Sequence, residues 1–265
     1  LIILLNKFFI KKNILLSQSG EIHQKFVEKN SIPLIGGIIF TITFLILFLS
    51  IKKYILILSI LSMFILGILS DLKIVNYPKT RFFFQTLLIL IFAYLIGLQI
   101  VSTRIFFFDY LLNYKIINFV FVIFCILILV NGTNFIDGLN GLVTGYYILI
   151  SIILLKIGFF EYLDFSQNSL LIFFGILIVV FLFNISNKLY LGDSGTYSLS
   201  IFFGFTIINY HQTYFEVSPY FIILLLWYPC FENLFSIIRK FRYKISPIYP
   251  DENHLHQVLF YFIFC

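Results

Sequence analysis

Charged residues are scarce in this sequence, at 11% of 265 positions, whereas hydrophobic residues make up 61%. Soluble chains carry about 25% charged residues, so this composition excludes an ordinary water-soluble domain. Long apolar runs recur along the whole chain and are typical of helices whose solvent is lipid. The lipid bilayer is therefore the first partner that the sequence predicts.

Cysteine is also rare. Cys125, Cys230 and Cys265 are far apart and lie in or beside apolar runs, which excludes a disulfide framework and a cysteine-based metal site. The formal charge of +6 does not indicate nucleic acid, because the basic residues lie in loops between apolar runs. That placement is typical of membrane topology signals.

Three other features are missing from the sequence. The apolar runs lack the period-2 alternation of transmembrane strands, and the first run has no small-residue cleavage site of a signal peptide. No repeat or linker divides the chain, so we expect one polytopic membrane domain over residues 1–265. Because the chain begins with Leu1 and ends inside an apolar stretch, we expect truncation at both ends and a longer parent protein.

The apolar runs predict an all-α integral membrane protein with about eight full spans. A helix crosses a hydrocarbon core of about 30 Å with roughly 20 residues. The runs lie at about 32–50, 54–69, 82–101, 116–130, 142–157, 168–184, 195–210 and 219–238.

Basic residues predict which loops face the cytoplasm. One set of alternate loops carries twelve, namely Lys11, Lys12, Lys25, Lys29, Lys73, Lys79, Arg81, Lys188, Arg239, Lys240, Arg242 and Lys244. The other set carries five, namely Lys52, Lys53, Arg104, Lys115 and the bordering Lys156. The positive-inside rule assigns the first set to the cytoplasm.

Acidic residues gather in the same loops. Asp71, Asp137 and Asp193 fall in the cytoplasmic set, and the last two are flanked by glycines in NGTNFIDGLNG and LGDSG. Mg²⁺ takes one or two carboxylates plus substrate phosphates, and Lys or Arg balances the remaining phosphate charge. The pattern predicts a metal-phosphate site, although any one of these acids could instead cap a helix, and the cations could contact lipid headgroups.

Five segments between about Ser31 and Leu259 resemble, in order, a known family. They are SIPLIGG, GILSDLKIVNYPKTRFFFQ, NGTNFIDGLNGL, LGDSG and the stretch from PCFEN to SPIYPDENHLHQ. They resemble the polyprenyl-phosphate N-acetylhexosamine-1-phosphate transferases, or glycosyltransferase family 4, which are related to the phospho-MurNAc-pentapeptide translocase. PDENHLHQ is more similar to the undecaprenyl-phosphate N-acetylglucosamine-1-phosphate branch than to the translocase.

The resemblance implies a bundle of about ten or eleven helices in a bacterial inner membrane, with its active site on the cytoplasmic face. It implies a Mg²⁺-dependent enzyme, with Mn²⁺ as the alternative ion, that transfers a sugar-1-phosphate from a UDP-N-acetylhexosamine to undecaprenyl phosphate. The products would be UMP and a lipid-linked sugar that starts a cell-envelope glycan, such as cell wall or lipopolysaccharide. We keep a homodimer open beside a monomer.

The resemblance also assigns roles to residues. Asp193 and Asp71 are the expected metal ligands. The expected catalytic residues are Asp71, Asp137, Asp193, His254 and His256, and the expected substrate-binding residues are Lys79, Arg81, Asn134, Asn140, Glu232 and Arg239.

The chain departs from the family pattern at three positions. Ser70 stands where the family has the first Asp of a pair, Asn140 stands for an Asp, and Glu232 stands for an Asp in the last helix. These departures leave open a non-catalytic member that binds lipid phosphate or nucleotide sugar. A secondary transporter is the other alternative, although such proteins often show repeated halves.

Overall fold

The computed structural model describes residues 2–12, 14–17, 32–214, 216–244, 254–255, 258–259 and 262. Apart from an isolated antiparallel bridge between Leu16 and Pro33, the regular structure in these ranges is helical. The helices are α1 (Ile2–Lys12), α2 (Gly36–Ser50), α3 (Tyr54–Asp71), α4 (Pro78–Ile96), α5 (Phe106–Leu112), α6 (Lys115–Ile136), α7 (Leu142–Lys156), α8 (Phe159–Tyr162), α9 (Gln167–Ile185), α10 (Gly192–Thr213), α11 (Pro219–Leu225) and α12 (Trp227–Arg242).

Helix α10 lies at the centre of the bundle. Every residue from Ser194 to Ile207 is buried, and α2, α3 and α6 pack around the helix. Phe202 lies against Phe44 with ring centroids 4.7 Å apart, and Phe203 stacks on Tyr147 at 4.6 Å. These aromatic contacts form the middle of a core that runs through the bundle.

The central helix is polar for a membrane helix. The hydroxyls of Ser198, Ser200 and Thr206 donate to the carbonyls four residues earlier, at 2.7, 2.7 and 2.5 Å. The Ser198 hydroxyl also pairs with that of Thr41 at 3.3 Å. Because these groups are satisfied within the protein, α10 can occupy an apolar bundle without exposing polar groups to lipid.

Glycines allow α2 and α3 to approach the first turn of α10. A Cβ at Gly67 of α3 would overlap the Cα of Ser194, and a Cβ at Gly37 of α2 would overlap the Ser194 side chain. Small residues that bring backbones together are typical of packed membrane helices. The two glycines thus fix where α10 begins relative to its neighbours.

The outer helices expose apolar side chains. Helix α4 buries only Gln85, Ile89 and Ala93, and Tyr94 is 75% exposed. An apolar surface of this size on a long helix is expected to face lipid. The prediction of an all-α membrane protein is confirmed.

Among the described residues, the number of full-length apolar spans is smaller than the eight predicted. In the described part of the chain, α3, α4, α6 and α9 are long and apolar enough to cross a membrane, and α11 with α12 adds a fifth if this pair, bent by 77°, counts as one span. Each predicted run does contain a helix. However, α2 and α7 have only 15 residues each, which is too short for a full span. Helix α10 is long enough, but it carries several hydroxyl residues because it is surrounded by protein and not by lipid.

The loops between the helices meet at two ends of the bundle. At one end, Asp193 contacts both Asp71 and Asn134, and we call this the Asp193 end. At the opposite end, Lys53 contacts Tyr162 and the Gln212 side chain contacts Gly97. The described loops therefore separate as the alternation of spans predicts.

Replacement of Gly67 tests the close packing of α3 on α10. Gly67→Ala should lower the free energy of unfolding by about 1–3 kcal/mol, because the added methyl group meets backbone rather than a flexible side chain. Thermal melting of the protein in detergent measures the loss. Gly175→Ala in α9 is the matched control, since no atom lies within 4 Å of its added Cβ; equal melting of both variants would contradict the packing.

Asp109 in α5, at the opposite end of the bundle, generates a pH prediction. Burial acts to raise the Asp109 pKa, but hydrogen bonds from Thr103, Ser102 and the Arg104 amide outweigh it, so the pKa lies below its ordinary value. The stability that this carboxylate contributes is therefore present above its unfolded-state pKa of about 3.9 and is lost as the pH falls through the lower folded-state pKa.

Asp109→Asn should thus lower the melting temperature at pH 7, and the difference from the unaltered protein should shrink as the pH falls below about 4. Melting in detergent between pH 3 and pH 7 measures both. A difference that stays constant over this range would show that the charge of Asp109 contributes nothing.

Candidate active site

The Asp193 carboxylate connects three neighbouring helices. Its Oδ2 accepts hydrogen bonds from Arg81 Nη1 at 2.8 Å and from Ser70 Oγ at 2.5 Å. Its Oδ1 accepts one from Asn134 Nδ2 at 2.6 Å. Since these partners lie on α4, α3 and α6, the predicted residues Asp193, Arg81 and Asn134 are brought together at the start of α10.

Asp71 binds the backbone of α10. Its Oδ1 accepts from the Asp193 amide at 2.8 Å and its Oδ2 from the Ser194 amide at 3.1 Å. The residue before the helix, Leu191, provides no side-chain cap. Asp71 therefore satisfies two amides that an α-helix leaves unpaired at its first turn.

Gly192 makes this contact possible. Its φ of +72° lies in the left-handed region, and an added Cβ would lie 2.8 Å from Asp71 Oδ2. Glycine is favoured at such a position because it has no Cβ. The glycine of LGDSG therefore belongs to the capping arrangement.

Asp137 follows the end of α6 and is half-buried. No described residue donates a hydrogen bond to its carboxylate. Burial raises the pKa of Asp137 well above its ordinary value, and the negative charges of Asp193 and Asp71 raise it further. A bound cation would offset these effects, because opposite charge favours the ionised carboxylate.

The donor set fits a magnesium ion held by few protein ligands. No group of three or more His, Cys, Asp or Glu side chains arranged for a metal occurs among the described residues. Mg²⁺ normally needs only one or two carboxylates and takes water and phosphate oxygens for the rest. Asp137 and Asp193 supply that number of carboxylates, and Asp71 binds the backbone amides of α10.

Glu232 and His254 form a second cluster. His254 Nδ1 lies 3.0 Å from Glu232 Oε2, and the Leu255 amide donates to Glu232 Oε1 at 2.9 Å. Both side chains are buried, and the His254 ring lies 5.1 Å from that of Phe135. Phe135 follows Asn134 on α6, so neighbouring residues of one helix contact the two clusters.

Other surroundings are found for Asn140, Lys79 and Arg239. Asn140 donates a hydrogen bond to the Asn187 side chain, and Lys79 is exposed. The Arg239 guanidinium lies 5.9 Å from the Phe235 ring centroid. His256 falls outside the described residues. The roles assigned to all these residues remain predictions.

Three contributing residues were not predicted as site residues. Ser70 was noted only as a departure, yet it binds Asp193. Tyr197 lies one turn after Asp193, and its hydroxyl lies 3.5 Å from Asp193 Oδ2; the spacing of four residues could have indicated this. Asn184 accepts from the Gly141 amide at 2.6 Å and donates to the Leu189 carbonyl at 3.0 Å, and no sequence signal pointed to it.

Comparison with known proteins identifies the family. The sequence profile described as "Glycosyl transferase family 4" matches residues 53–211, which include Ser70, Asp71, Arg81, Asn134, Asp137 and Asp193. The chain belongs to glycosyl transferase family 4. The resemblance to this family is therefore confirmed, and three of the five sequence segments lie within the matched residues.

Two relatives of this family 4 protein carry more specific names. It is 28% identical over 232 residues to the undecaprenyl-phosphate alpha-N-acetylglucosaminyl 1-phosphate transferase of Thermotoga maritima, a match that covers 86% of this chain and 68% of the relative. It is 30% identical over 139 residues to a probable undecaprenyl-phosphate N-acetylglucosaminyl 1-phosphate transferase of Bacillus subtilis, which covers 50% of this chain and 37% of the relative.

Substitution of Asp71 and Asp137 separates a structural carboxylate from a functional one. Asp71→Ala leaves two amides of α10 without their acceptor and should cost about 1 kcal/mol of stability, which lowers the melting temperature by about 3 °C. Asp137→Ala should leave the melting temperature unchanged or raised, because it removes a carboxylate that is costly to ionise. Melting in detergent without divalent ions measures both, and equal melting would contradict the capping role of Asp71.

Proposed function

We propose that this protein transfers N-acetylhexosamine-1-phosphate from a UDP-sugar to undecaprenyl phosphate and releases UMP, with Mg²⁺ as cofactor. The observation that carries the proposal is the Asp193 site, where α3, α4, α6 and α10 bring carboxylates, an arginine and an amide together. Family membership and the names of both relatives support the same reaction.

The reaction joins two phosphates. An oxygen of the lipid phosphate attacks the β-phosphorus of the UDP-sugar, and the bond from this phosphorus to the bridging oxygen breaks, so that UMP leaves with the electron pair. A phosphate monoester is largely ionised near neutral pH, so the attack needs no strong base. The protein contributes mainly positioning and neutralisation of phosphate charge.

The residues around Asp193 divide this work. Asp137 and Asp193 would hold Mg²⁺, which supplies positive charge to the phosphates when bound. Ser70 and Asn134 fix the orientation of Asp193 through its two oxygens. Arg81 reaches Asp193 from α4 and supplies a fixed positive charge beside it.

The second cluster completes the donor side. Glu232 orients His254 through Nδ1, and we assign to His254 a contact with the diphosphate or sugar of the donor. Lys79 and Arg239 attract the anionic substrates. Asn140 belongs to the segment NGTNFIDGLNG and holds it next to residues 186–188 through its hydrogen bond to Asn187. His256 has the same proposed role as His254.

The position of Arg81 suits a lipid acceptor. Arg81 lies in the first turn of α4, and the next residues, Phe82 and Phe83, are exposed on the lipid-facing surface of that helix. The isoprenoid chain would lie along α4 while its phosphate reaches Arg81. We place the Asp193 end at the cytoplasmic face of a bacterial inner membrane and retain the prediction of about eight crossings, some by short or bent helices.

Ser70 favours one alternative function. Its hydroxyl occupies, beside Asp193, a position where the family has a carboxylate. With one acid fewer, the site could bind lipid phosphate or nucleotide sugar without turnover. No contact in the described residues favours a secondary transporter.

A transfer assay tests the proposal. The protein in detergent is incubated with undecaprenyl phosphate, Mg²⁺ and a panel of UDP-N-acetylhexosamines, and UMP and the lipid-linked sugar are measured together. Asp193→Asn should lower the rate roughly a hundredfold or more, because it removes charge at the transferring phosphate. EDTA should have the same effect on the unaltered protein.

Glu161→Gln is the control variant, since this exposed acid of α8 lies at the opposite end of the bundle. It should transfer at the unaltered rate. If no donor reacts while a UDP-sugar still binds, the non-catalytic function replaces the transferase. Equal loss of transfer in the Asp193 and Glu161 variants would remove the assignment of the site to the Asp193 end.

A further inference from the structure

A pocket of about 380 Å³ opens at the end of the bundle opposite Asp193. It is lined by residues 52–56, the last turn of α4, residues 162–163 and the second half of α10. The pocket shares no residue with the Asp193 and His254 clusters. Its lining combines two lysines with apolar side chains, and the proposed transfer reaction uses none of them.

The two lysines give the pocket positive charge. Lys53 Nζ lies 3.5 Å from Asp164 Oδ2, but the Asp164 side chain is 73% exposed, so solvent screens this pair. Among the described residues, no acid pairs with Lys52. The residues that line the pocket include two lysines and no acid, so the lining itself carries positive charge.

A polar group on the opposite wall is available to a ligand. Asn209 of α10 lines the pocket, and no described residue hydrogen-bonds its side-chain amide. The neighbouring Thr206 hydroxyl, in contrast, is occupied by the Phe202 carbonyl. The amide of Asn209 and the ammonium groups of Lys52 and Lys53 are thus donors suited to phosphate oxygens.

The mouth of the pocket is apolar and borders lipid. Leu95 at the end of α4 is 54% exposed, and Ile55 at the start of α3 is also exposed. Both lie at the ends of helices that are long and apolar enough to cross a membrane. A ligand with an anionic head and an apolar chain fits this surface, whereas free phosphate would leave the apolar wall unused.

Topology does not account for these lysines. The positive-inside rule concentrates cations at the cytoplasmic end, and Lys52 and Lys53 are adjacent at the other end. We propose that this pocket binds the headgroup phosphate of an anionic phospholipid in the leaflet opposite the active site. This proposal is independent of the transferase reaction, because the experiment that tests it measures lipid binding and not sugar transfer.

Native mass spectrometry of the detergent-solubilised protein tests the site, with phosphatidylglycerol compared with phosphatidylcholine. The unaltered protein should retain phosphatidylglycerol preferentially. Lys52→Gln should weaken that binding about fivefold, the factor expected for one lysine near an anionic lipid surface. Asn209→Leu should weaken it as well, because leucine removes the amide donor without a change of charge.

Lys115→Gln is the matched control, because Lys115 begins α6, comes from the same set of loops and does not line the pocket. It should bind phosphatidylglycerol like the unaltered protein, and all variants should melt at the unaltered temperature. Equal weakening by Lys115→Gln, or unchanged binding in both Lys52→Gln and Asn209→Leu, would overturn the proposal. Release of the lipid by millimolar inorganic phosphate would overturn it in favour of a free-phosphate site.

Discussion

The contact between the Asp71 carboxylate and the first amides of α10 is the interaction on which the site depends. Helix α10 begins inside the bundle, where its unpaired amides would be costly without an acceptor. Asp71 supplies that acceptor from α3 and thereby joins the end of one helix to the start of another. The amide that it binds belongs to Asp193, so the same contact sets where the Asp193 carboxylate points.

This contact in turn depends on the absence of side chains. Gly67 lies one turn before Asp71 and allows α3 to touch Ser194, and Gly192 leaves room for the Asp71 oxygens. A larger residue at either position would separate the carboxylate from its amides. Glycines and acids therefore occur together at these helix ends. Asp71 can cap α10 only if the backbones of α3 and α10 are close, and the glycines allow that approach.

Part of the site was predictable from the sequence. The run LGDSG indicated Asp193, and the shared loop set indicated that Asp71 and Asp137 would lie near it. The hydrogen bond between Asp71 and the Asp193 amide was not predictable. The two residues are 122 positions apart in the sequence, and only the packing of α3 on α10 brings them together. The buried pairing of Glu232 with His254 depends on packing in the same way.

The fold shows a similar division. Each apolar run of the sequence contains a helix. Hydropathy, however, indicates which helices face lipid and does not indicate which ones are buried by protein. Helix α10 is therefore less apolar than α9, although α10 is the more deeply buried of the two. Among the described residues, fewer helices than predicted are full-length apolar spans, because α2 and α7 are short and α10 is an interior helix rich in hydroxyl residues.

Arg81 connects the capped helix to the proposed lipid substrate. Its hydrogen bonds to Asp193 and Ser70 both come from Nη1, and a guanidinium has five N–H donors in a fixed fork. Donors therefore remain for a phosphate while the Asp193 contact is kept. Lysine at this position could not hold both groups in one plane. Because α4 also faces lipid, the residue that steadies the Asp193 carboxylate is the one that the phosphate of the proposed acceptor would meet first. Acceptor binding would thus be coupled to the geometry of that carboxylate.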